Sequence, residues 1–236
     1  MKKQQEIDSI TLSYLNFQTP KENRGNIIVF FLIFLDLLGL FPILSEPFSS
    51  QYFWAAFIPV AFMHIWALLY IIAPYKFERT YYLFFGIYGI VNTYVFSLSI
   101  QKFLSNYILT NTVLPIIIGL FLFIGLIIII NWANLKLLRS GTYANLQKKG
   151  TKVNTSPIIA ASGLGYILGQ LILAFVYSDS LIIMVFIFVL SILSVVTAYF
   201  SVFIHRYIFI QKNEVAVKKL YPEFGLPKSE RNSKYL

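Results

Sequence analysis

The sequence has no cysteine and few charged side chains. Asp, Glu, Lys and Arg make up 12% of its 236 residues, about half of the ~25% typical of soluble domains. The missing cysteines exclude a disulfide-stabilised secreted domain and any zinc or iron–sulfur centre with cysteine ligands. Because 58% of the residues are hydrophobic and the mean hydropathy is +0.71, too few polar groups remain to cover a soluble surface. The chain is therefore expected to lie in a lipid bilayer.

Six apolar stretches approach the ~20 residues that a helix needs to cross a bilayer. They are Ile27–Leu44, Tyr52–Ala73, Thr80–Ile100, Val113–Trp132, Pro157–Tyr177 and Leu181–Ile204. The sequence therefore predicts an all-α integral membrane protein, built as a bundle of six transmembrane helices. The polar residues 1–26 form an N-terminal segment that does not resemble a cleaved signal peptide, and residues 205–236 form a basic tail.

Basic side chains alternate between the two sides of this predicted bundle. Four lie in the N-terminal segment, two in the second loop, five in the fourth loop and seven in the tail, which is 18 of the 19 Lys and Arg. Only Lys102 falls on the other side. Because cytoplasmic loops are enriched in Lys and Arg, both termini are predicted to lie in the cytoplasm of a cell membrane. Anionic lipids of the inner leaflet are the expected partners of this charge, rather than nucleic acid.

The N-terminal segment carries a helical pattern of apolar residues, Ile7, Ile10, Tyr14 and Phe17. Two interpretations remain open. The segment is either a short amphipathic helix on the inner leaflet, ended by Thr19-Pro20, or a frayed cytosolic tail.

Patterns of catalytic residues are missing as well. The two histidines, His64 and His205, do not belong to an HExxH motif, and Asp36 has no second intramembrane acid as a partner. No GxSxG motif is present. The sequence therefore predicts a protein that is not an enzyme and that has neither a metal site nor a cofactor.

Four polar side chains at bilayer depth form the candidate site, namely Asp36, His64, Asn92 and Gln170. A charged side chain in mid-bilayer costs about 2.5–3.5 kcal/mol, so Asp36 is predicted to face the bundle. Seven residues join the first two spans, and counting from this loop places Asp36 and His64 about one helical turn apart in depth. A hydrogen bond between them is therefore feasible. It would act either as a proton-responsive element or as a structural clasp.

Small side chains mark the faces where helices are expected to pack closely. Gly39 lies on the Asp36 face of the first span, and the fifth span carries Ala161, Gly165 and Gly169 at four-residue spacing. Such stripes let helix backbones touch. The stripe of the fifth span predicts either packing inside the bundle or a homodimer seam.

The composition, rich in Ile, Phe, Asn and Lys, suggests an AT-rich bacterial genome. By analogy with small multi-span proteins that have minimal outer loops, we expect a membrane protein that acts by binding a protein partner, as a secretion-system accessory or a toxin-immunity protein. The alternative is a small proton-linked transporter or channel that uses Asp36 and His64. Convergence of the four polar side chains on one cavity would favour transport, and separate pairwise contacts would favour partner binding.

Overall fold

The computed structural model describes residues 2–15, 17–107, 113–148 and 179–231. Within these ranges the chain is helical and forms no β-strand. The helices are α1 (Lys2–Leu15), α2 (Pro20–Phe30), a π-helical segment (Phe31–Leu40), α3 (Phe41–Leu44), α4 (Ser50–Ile72), α5 (Glu78–Tyr107), α6 (Val113–Arg139), α7 (Thr142–Lys148), α8 (Asp179–Tyr199), α9 (Val202–Lys212), α10 (Glu214–Leu220) and a short 3-10 helix (Lys228–Glu230). The all-helical class predicted from the sequence is confirmed.

Five helical stretches of the described residues are long and apolar enough to cross a membrane. They are Ser9–Leu44, Ser50–Ile72, Glu78–Tyr107, Ile116–Arg139 and Leu181–Lys212. These five correspond to five of the six spans predicted from the sequence. The remaining prediction, Pro157–Tyr177, lies outside the described residues together with Gln170 and the stripe of Ala161, Gly165 and Gly169.

The first span begins earlier than expected, because Thr19 and Pro20 start a helix instead of ending one. Thr19 Oγ1 accepts a hydrogen bond from the Glu22 backbone N–H at 3.2 Å, and the Glu22 carboxylate accepts one from the Thr19 N–H at 2.8 Å. This reciprocal cap, with Pro20 in the first turn, suits the free N–H groups of a helix start. The prediction that Thr19-Pro20 terminates the N-terminal helix is therefore wrong.

The N-terminal segment forms a helix that packs against the rest of the protein. Helix α1 ends at Leu15 and contacts α7 and α10. Thr11, Tyr14 and Leu15 are fully or almost fully buried in these contacts. The helix expected from the apolar spacing is thus present, but the side that carries Tyr14 is covered by protein.

The first span is wound as a π-helix around Asp36 and Gly39. The Phe41 N–H donates to the Asp36 carbonyl, five residues back, so the turns are wider than in an α-helix. Pro42 follows and supplies no N–H of its own. Carbonyl groups near the end of this span therefore need donors from elsewhere.

Helix α5 supplies those donors. Ser99 Oγ donates to the Gly39 carbonyl at 3.0 Å. Lys102 Nζ donates to the carbonyls of Pro42 at 2.9 Å and Ile43 at 3.0 Å, and also to that of Ser45. Lys102 is fully buried. Lys102, the one basic residue that departs from the alternation of charge, is therefore buried inside the protein. Its ammonium caps the carboxyl-terminal end of the first span by donating to the free carbonyls there.

Helix α5 is the centre of the described bundle, with contacts to the first span, α4, α6, α8 and α9. It runs antiparallel to α8 and α9, and it approaches them most closely at Gly86 and Gly89. A Cβ atom added to Gly89 would lie 2.6 Å from Phe200 Cβ and 2.8 Å from the Thr197 carbonyl oxygen. Among the described helices, these two glycines let the backbones of α5 and α8–α9 touch.

Candidate functional site

Asp36 and His64 are hydrogen-bonded between the first span and α4. His64 Nε2 lies 3.2 Å from Asp36 Oδ1 and 3.3 Å from Oδ2. The other ring nitrogen, Nδ1, lies 2.9 Å from the Val60 carbonyl oxygen. A carbonyl oxygen only accepts, so Nδ1 carries a hydrogen and Nε2 is left to face the carboxyl group.

This geometry requires one further proton between His64 and Asp36. Either Nε2 carries it, giving an imidazolium beside a carboxylate, or the carboxyl group carries it and donates to a neutral imidazole. The net charge of the pair is zero in both states. At bilayer depth this matters because neither side chain is left as an isolated charge.

The pair lies on a flank of the described bundle, and it is only half covered. The exposed fractions of the two side chains are 43% for His64 and 35% for Asp36. Phe31 packs edge-on against the imidazole, with 5.1 Å between ring centres. Leu32 and Leu68 lie about one turn away on the two helices and are 59% and 51% exposed. We call these residues, Asp36, His64, Leu32 and Leu68, the Asp36 flank.

Asn92 belongs to a separate hydrogen-bonded set on the buried side of the first span. Its Nδ2 donates to the Tyr88 hydroxyl at 3.1 Å, and that hydroxyl donates to the Phe30 carbonyl at 2.8 Å. Asn92 is fully buried, and its Oδ1 finds no hydrogen-bond partner among the described residues. Gly39 lies beside it and lets α5 approach closely, because an added Cβ at Gly39 would lie only 3.1 Å from Val95 Cγ1.

The structure thus brings together two of the four predicted polar residues. Asp36 and His64 form one pair, Asn92 bonds to Tyr88, and Gln170 lies outside the described residues. Asp36 lies at the flank of the bundle, and its carboxylate has a polar partner in His64. In the described ranges, no group of three or more His, Cys, Asp or Glu side chains is arranged to hold a metal ion.

A polar cluster that was not predicted from the sequence surrounds Tyr14, at the opposite end of the bundle from Lys102. The Tyr14 hydroxyl lies 2.9 Å from His205 Nδ1 and accepts from Asn134 Nδ2 at 3.1 Å. The Tyr143 hydroxyl donates to Asn134 Oδ1 at 2.8 Å. Burial raises the pKa of Tyr143 to about 12, so its hydroxyl stays protonated as the donor. Arg206 lies over the Tyr14 ring at 5.2 Å. The cluster joins α1, α6, α7 and α9.

A second feature missed from the sequence is a buried ion pair between α5 and the tail. Arg231 donates to the Glu78 carboxylate, and the exposed fractions of the two side chains are 4% and 5%. The Gly225 N–H donates to the same carboxylate at 2.6 Å. A cavity of about 340 Å³ adjoins this pair, lined on one side by Phe17, Tyr221 and Phe224. Glu78 and Arg231 are 153 positions apart in the sequence, so no local pattern predicts the pair.

No protein-family model, curated protein or solved structure matches this chain. The fold and the site define an all-helical protein with at least five helices suited to a membrane.

Proposed function

We propose that this chain is a non-enzymatic, multi-pass protein of the cell membrane that acts by binding another membrane protein through the Asp36 flank. The observation that carries the proposal is the half-covered pair of Asp36 and His64. A carboxylate has about four acceptor sites, and His64 uses only part of them. Acyl chains offer no donor for the rest, whereas a transmembrane helix with a hydroxyl or amide side chain does. The partner is therefore a transmembrane helix of that kind.

The direction of the described helices supports six spans with both termini on one side. Gln101 lies beside Gly119, and Tyr94 contacts Phe123, so α6 runs antiparallel to α5. Helix α8 runs antiparallel to α5 as well. Two consecutive spans with the same direction require the chain to return between them. The apolar run Pro157–Tyr177 of the sequence is long enough for that crossing.

The placement of the two ends supports the same topology. Tyr14 near the N-terminus bonds to His205, and Gly225 and Arg231 near the C-terminus bond to Glu78 at the start of α5. Both ends therefore meet at one end of the bundle. That end carries the basic loops, and by the positive-inside rule it is the cytoplasmic one.

Photocrosslinking in native membranes tests the partner. A photoreactive residue replaces Leu68 on the flank, and the same residue at the 61%-exposed Ile128 of α6 serves as the control. We expect a crosslinked product at Leu68 whose mapped peptide is a transmembrane helix of another protein with a hydroxyl or amide side chain. The product should disappear in the Asp36→Leu/His64→Leu variant, in which the flank stays apolar but offers no acceptor.

Four outcomes would contradict this proposal. A crosslink within the same chain would mean that residues of the chain itself cover the flank. A crosslink between two tagged copies would assign the flank to a homodimer. An equally strong product at Ile128, or one that persists in the Asp36→Leu/His64→Leu variant, would mean that the pair plays no part in recognition. If the expected product forms, the identity of the captured partner distinguishes a secretion-system accessory from a toxin-immunity protein.

The shared proton of the pair favours a second candidate, a small proton-linked transporter or channel. Proton relays in membrane proteins use titratable groups at bilayer depth, and the geometry of His64 and Asp36 places one proton between them. Liposomes that contain the purified protein and a pH-sensitive dye measure this directly under an imposed pH gradient. Proton flux that is lost in His64→Leu supports transport, whereas flux equal to that of empty liposomes contradicts it.

A further inference from the structure

The cytoplasmic end of α6 carries a groove with two cations and an aromatic ring. The groove has a volume of about 520 Å³, and the described residues that line it are Trp132, Leu135, Lys136, Arg139 and Ser140. Lys136 Nζ lies 5.3 Å from the centre of the Trp132 ring. Trp132 is 62% exposed, and Lys136 and Arg139 are exposed as well.

These two cations have no acidic partner among the described residues, unlike several others at this end. Arg231 pairs with Glu78, and both Arg79 and Lys218 pair with Glu214. The end of α6 does not need Lys136 and Arg139 as caps either. Its Lys136 carbonyl accepts from the Ser140 N–H at 3.0 Å, and its Leu138 carbonyl from the Gly141 N–H at 3.2 Å. Their charges are therefore available to an anion.

We propose that this groove binds the phosphate headgroup of an anionic phospholipid. Lys136 and Arg139 donate hydrogen bonds to the phosphate. Trp132 and Leu135 continue the groove along the helix and contact the first part of an acyl chain. Tryptophan is enriched at this depth because its ring is apolar and its N–H is polar.

The apolar part of the groove distinguishes a lipid from free phosphate. Inorganic phosphate would use only the two cations, which lie at one end of the groove. A lipid also covers the indole ring and Leu135, which lie on the membrane side of the cations within the span Ile116–Arg139. Both ligands carry a phosphate anion, but only the lipid has an acyl chain that contacts the apolar part of the groove. The lipid is therefore the better fit.

Lipid titration with native mass spectrometry tests the site. The probe is phosphatidylglycerol, compared with phosphatidylcholine and with inorganic phosphate. A basic side chain near an anionic surface contributes about fivefold in binding, so Lys136→Gln/Arg139→Gln should weaken phosphatidylglycerol binding by more than tenfold. The control Lys21→Gln/Lys212→Gln removes two exposed charges from the same end and should leave binding unchanged.

A second measurement needs no charge variant. The chain has three tryptophans, so Trp54→Phe/Trp66→Phe leaves Trp132 as the single fluorophore. Phosphatidylglycerol with brominated acyl chains should quench Trp132 several-fold more than brominated phosphatidylcholine at the same mole fraction.

Four results would overturn the proposal. They are equal quenching by the two lipids, full binding in the Lys136→Gln/Arg139→Gln variant, an equal loss in the control variant, and displacement of the lipid by millimolar inorganic phosphate. The first two mean that no anionic site lies at the groove. The third means that overall charge attracts the lipid, and the fourth means that the ligand is free phosphate.

Discussion

Lys102 stabilises the end of the first span through its buried ammonium group. Its ammonium is the shared donor for three carbonyl groups at the end of the first span. A hydrogen bond to a charged group contributes about 1.5–3 kcal/mol. Lys102→Met keeps the length of the side chain and removes the donor, so we expect the free energy of unfolding in detergent to fall by about 3 kcal/mol. Lys21→Met, at an exposed position, is the control and should change it by less than about 0.5 kcal/mol. Equal stability of the two variants would contradict this role.

For the Asp36 and His64 pair we expect coupled effects, because each side chain provides the polar partner of the other. Removing His64 alone leaves a carboxylate at bilayer depth, which costs about 2.5–3.5 kcal/mol if it stays charged. We therefore expect His64→Leu to destabilise the protein more than the double variant Asp36→Leu/His64→Leu. Thermal unfolding of the four proteins of this double-mutant cycle measures the coupling. Additive effects of the two substitutions would mean that the hydrogen bond contributes nothing.

Arg231 and Arg79 provide a matched comparison of a buried and an exposed ion pair. Arg231 is buried with Glu78, whereas the Arg79 and Glu214 side chains are 46% and 47% exposed. Breaking a buried pair leaves an uncompensated charge and costs about 3–5 kcal/mol, while an exposed pair contributes about 0–1 kcal/mol. Arg231→Gln should therefore lower the melting temperature clearly and Arg79→Gln hardly at all. Limited proteolysis should also release the tail only in Arg231→Gln. A tail equally protected in both variants would contradict the comparison.

The residues of the candidate site that were predictable from the sequence are those close together along the chain. A short loop fixes the relative depth of two antiparallel helices, and this made the Asp36–His64 contact foreseeable. The bonds from Tyr14 to His205 and from Glu78 to Arg231 join residues 191 and 153 positions apart. They depend on how the helices assemble, and periodicity in one segment contains no information about that. The burial of Lys102 was not predictable from the sequence for the same reason, because its hydrogen-bond acceptors are carbonyl groups at the end of the first span.

At the scale of helices, the contact of α5 with α8 and α9 depends on two glycines. An added Cβ at Gly89 would lie 2.6 Å from Phe200 Cβ, whereas nothing lies within 4 Å of such an atom at Gly125 of α6. Gly89→Ala should destabilise the protein by about 1–3 kcal/mol through overpacking. Gly125→Ala is the control, and should be neutral or stabilising by up to about 1 kcal/mol, because alanine favours helix more than glycine. Equal effects of the two substitutions would mean that α5 does not approach α8 and α9 this closely.

Helix boundaries were harder to predict than helices themselves. Thr19-Pro20 was interpreted as the end of a helix because the residue before a proline avoids the helical region. The same dipeptide is also a helix start when a Glu follows three residues after the Thr, as Glu22 does here. The π-helical winding of Phe31–Leu40 was not predictable either. Ser99 of α5 donates to the Gly39 carbonyl within this segment, and that contact cannot be inferred from the local sequence.

At the scale of the whole molecule, the two ends of the chain are tied to the same end of the bundle. Tyr14 bonds to His205, and the tail bonds to Glu78. Five crossings would place the termini on opposite sides of the membrane, which is incompatible with these contacts. An even number of crossings is compatible with them, and the sequence offers one further apolar run for it. The charge distribution and these contacts therefore both favour the proposed topology of six spans.

Reporter fusions along the chain test this topology. Reporters placed after Lys148 and at the C-terminus should both signal the cytoplasm, and a reporter inserted before Asp179 should signal the opposite side, because α8 runs from that side towards the end that holds Tyr14. A reporter inserted after Lys76, in the loop before α5, is the positive control for the cytoplasm. If the reporters after Lys148 and before Asp179 signal the same side, the chain does not cross between them. In that case α6 and α8 cannot both run antiparallel to α5 across the bilayer, and the contacts of α8 and α9 with Gly89 and Tyr14 could not form in the membrane.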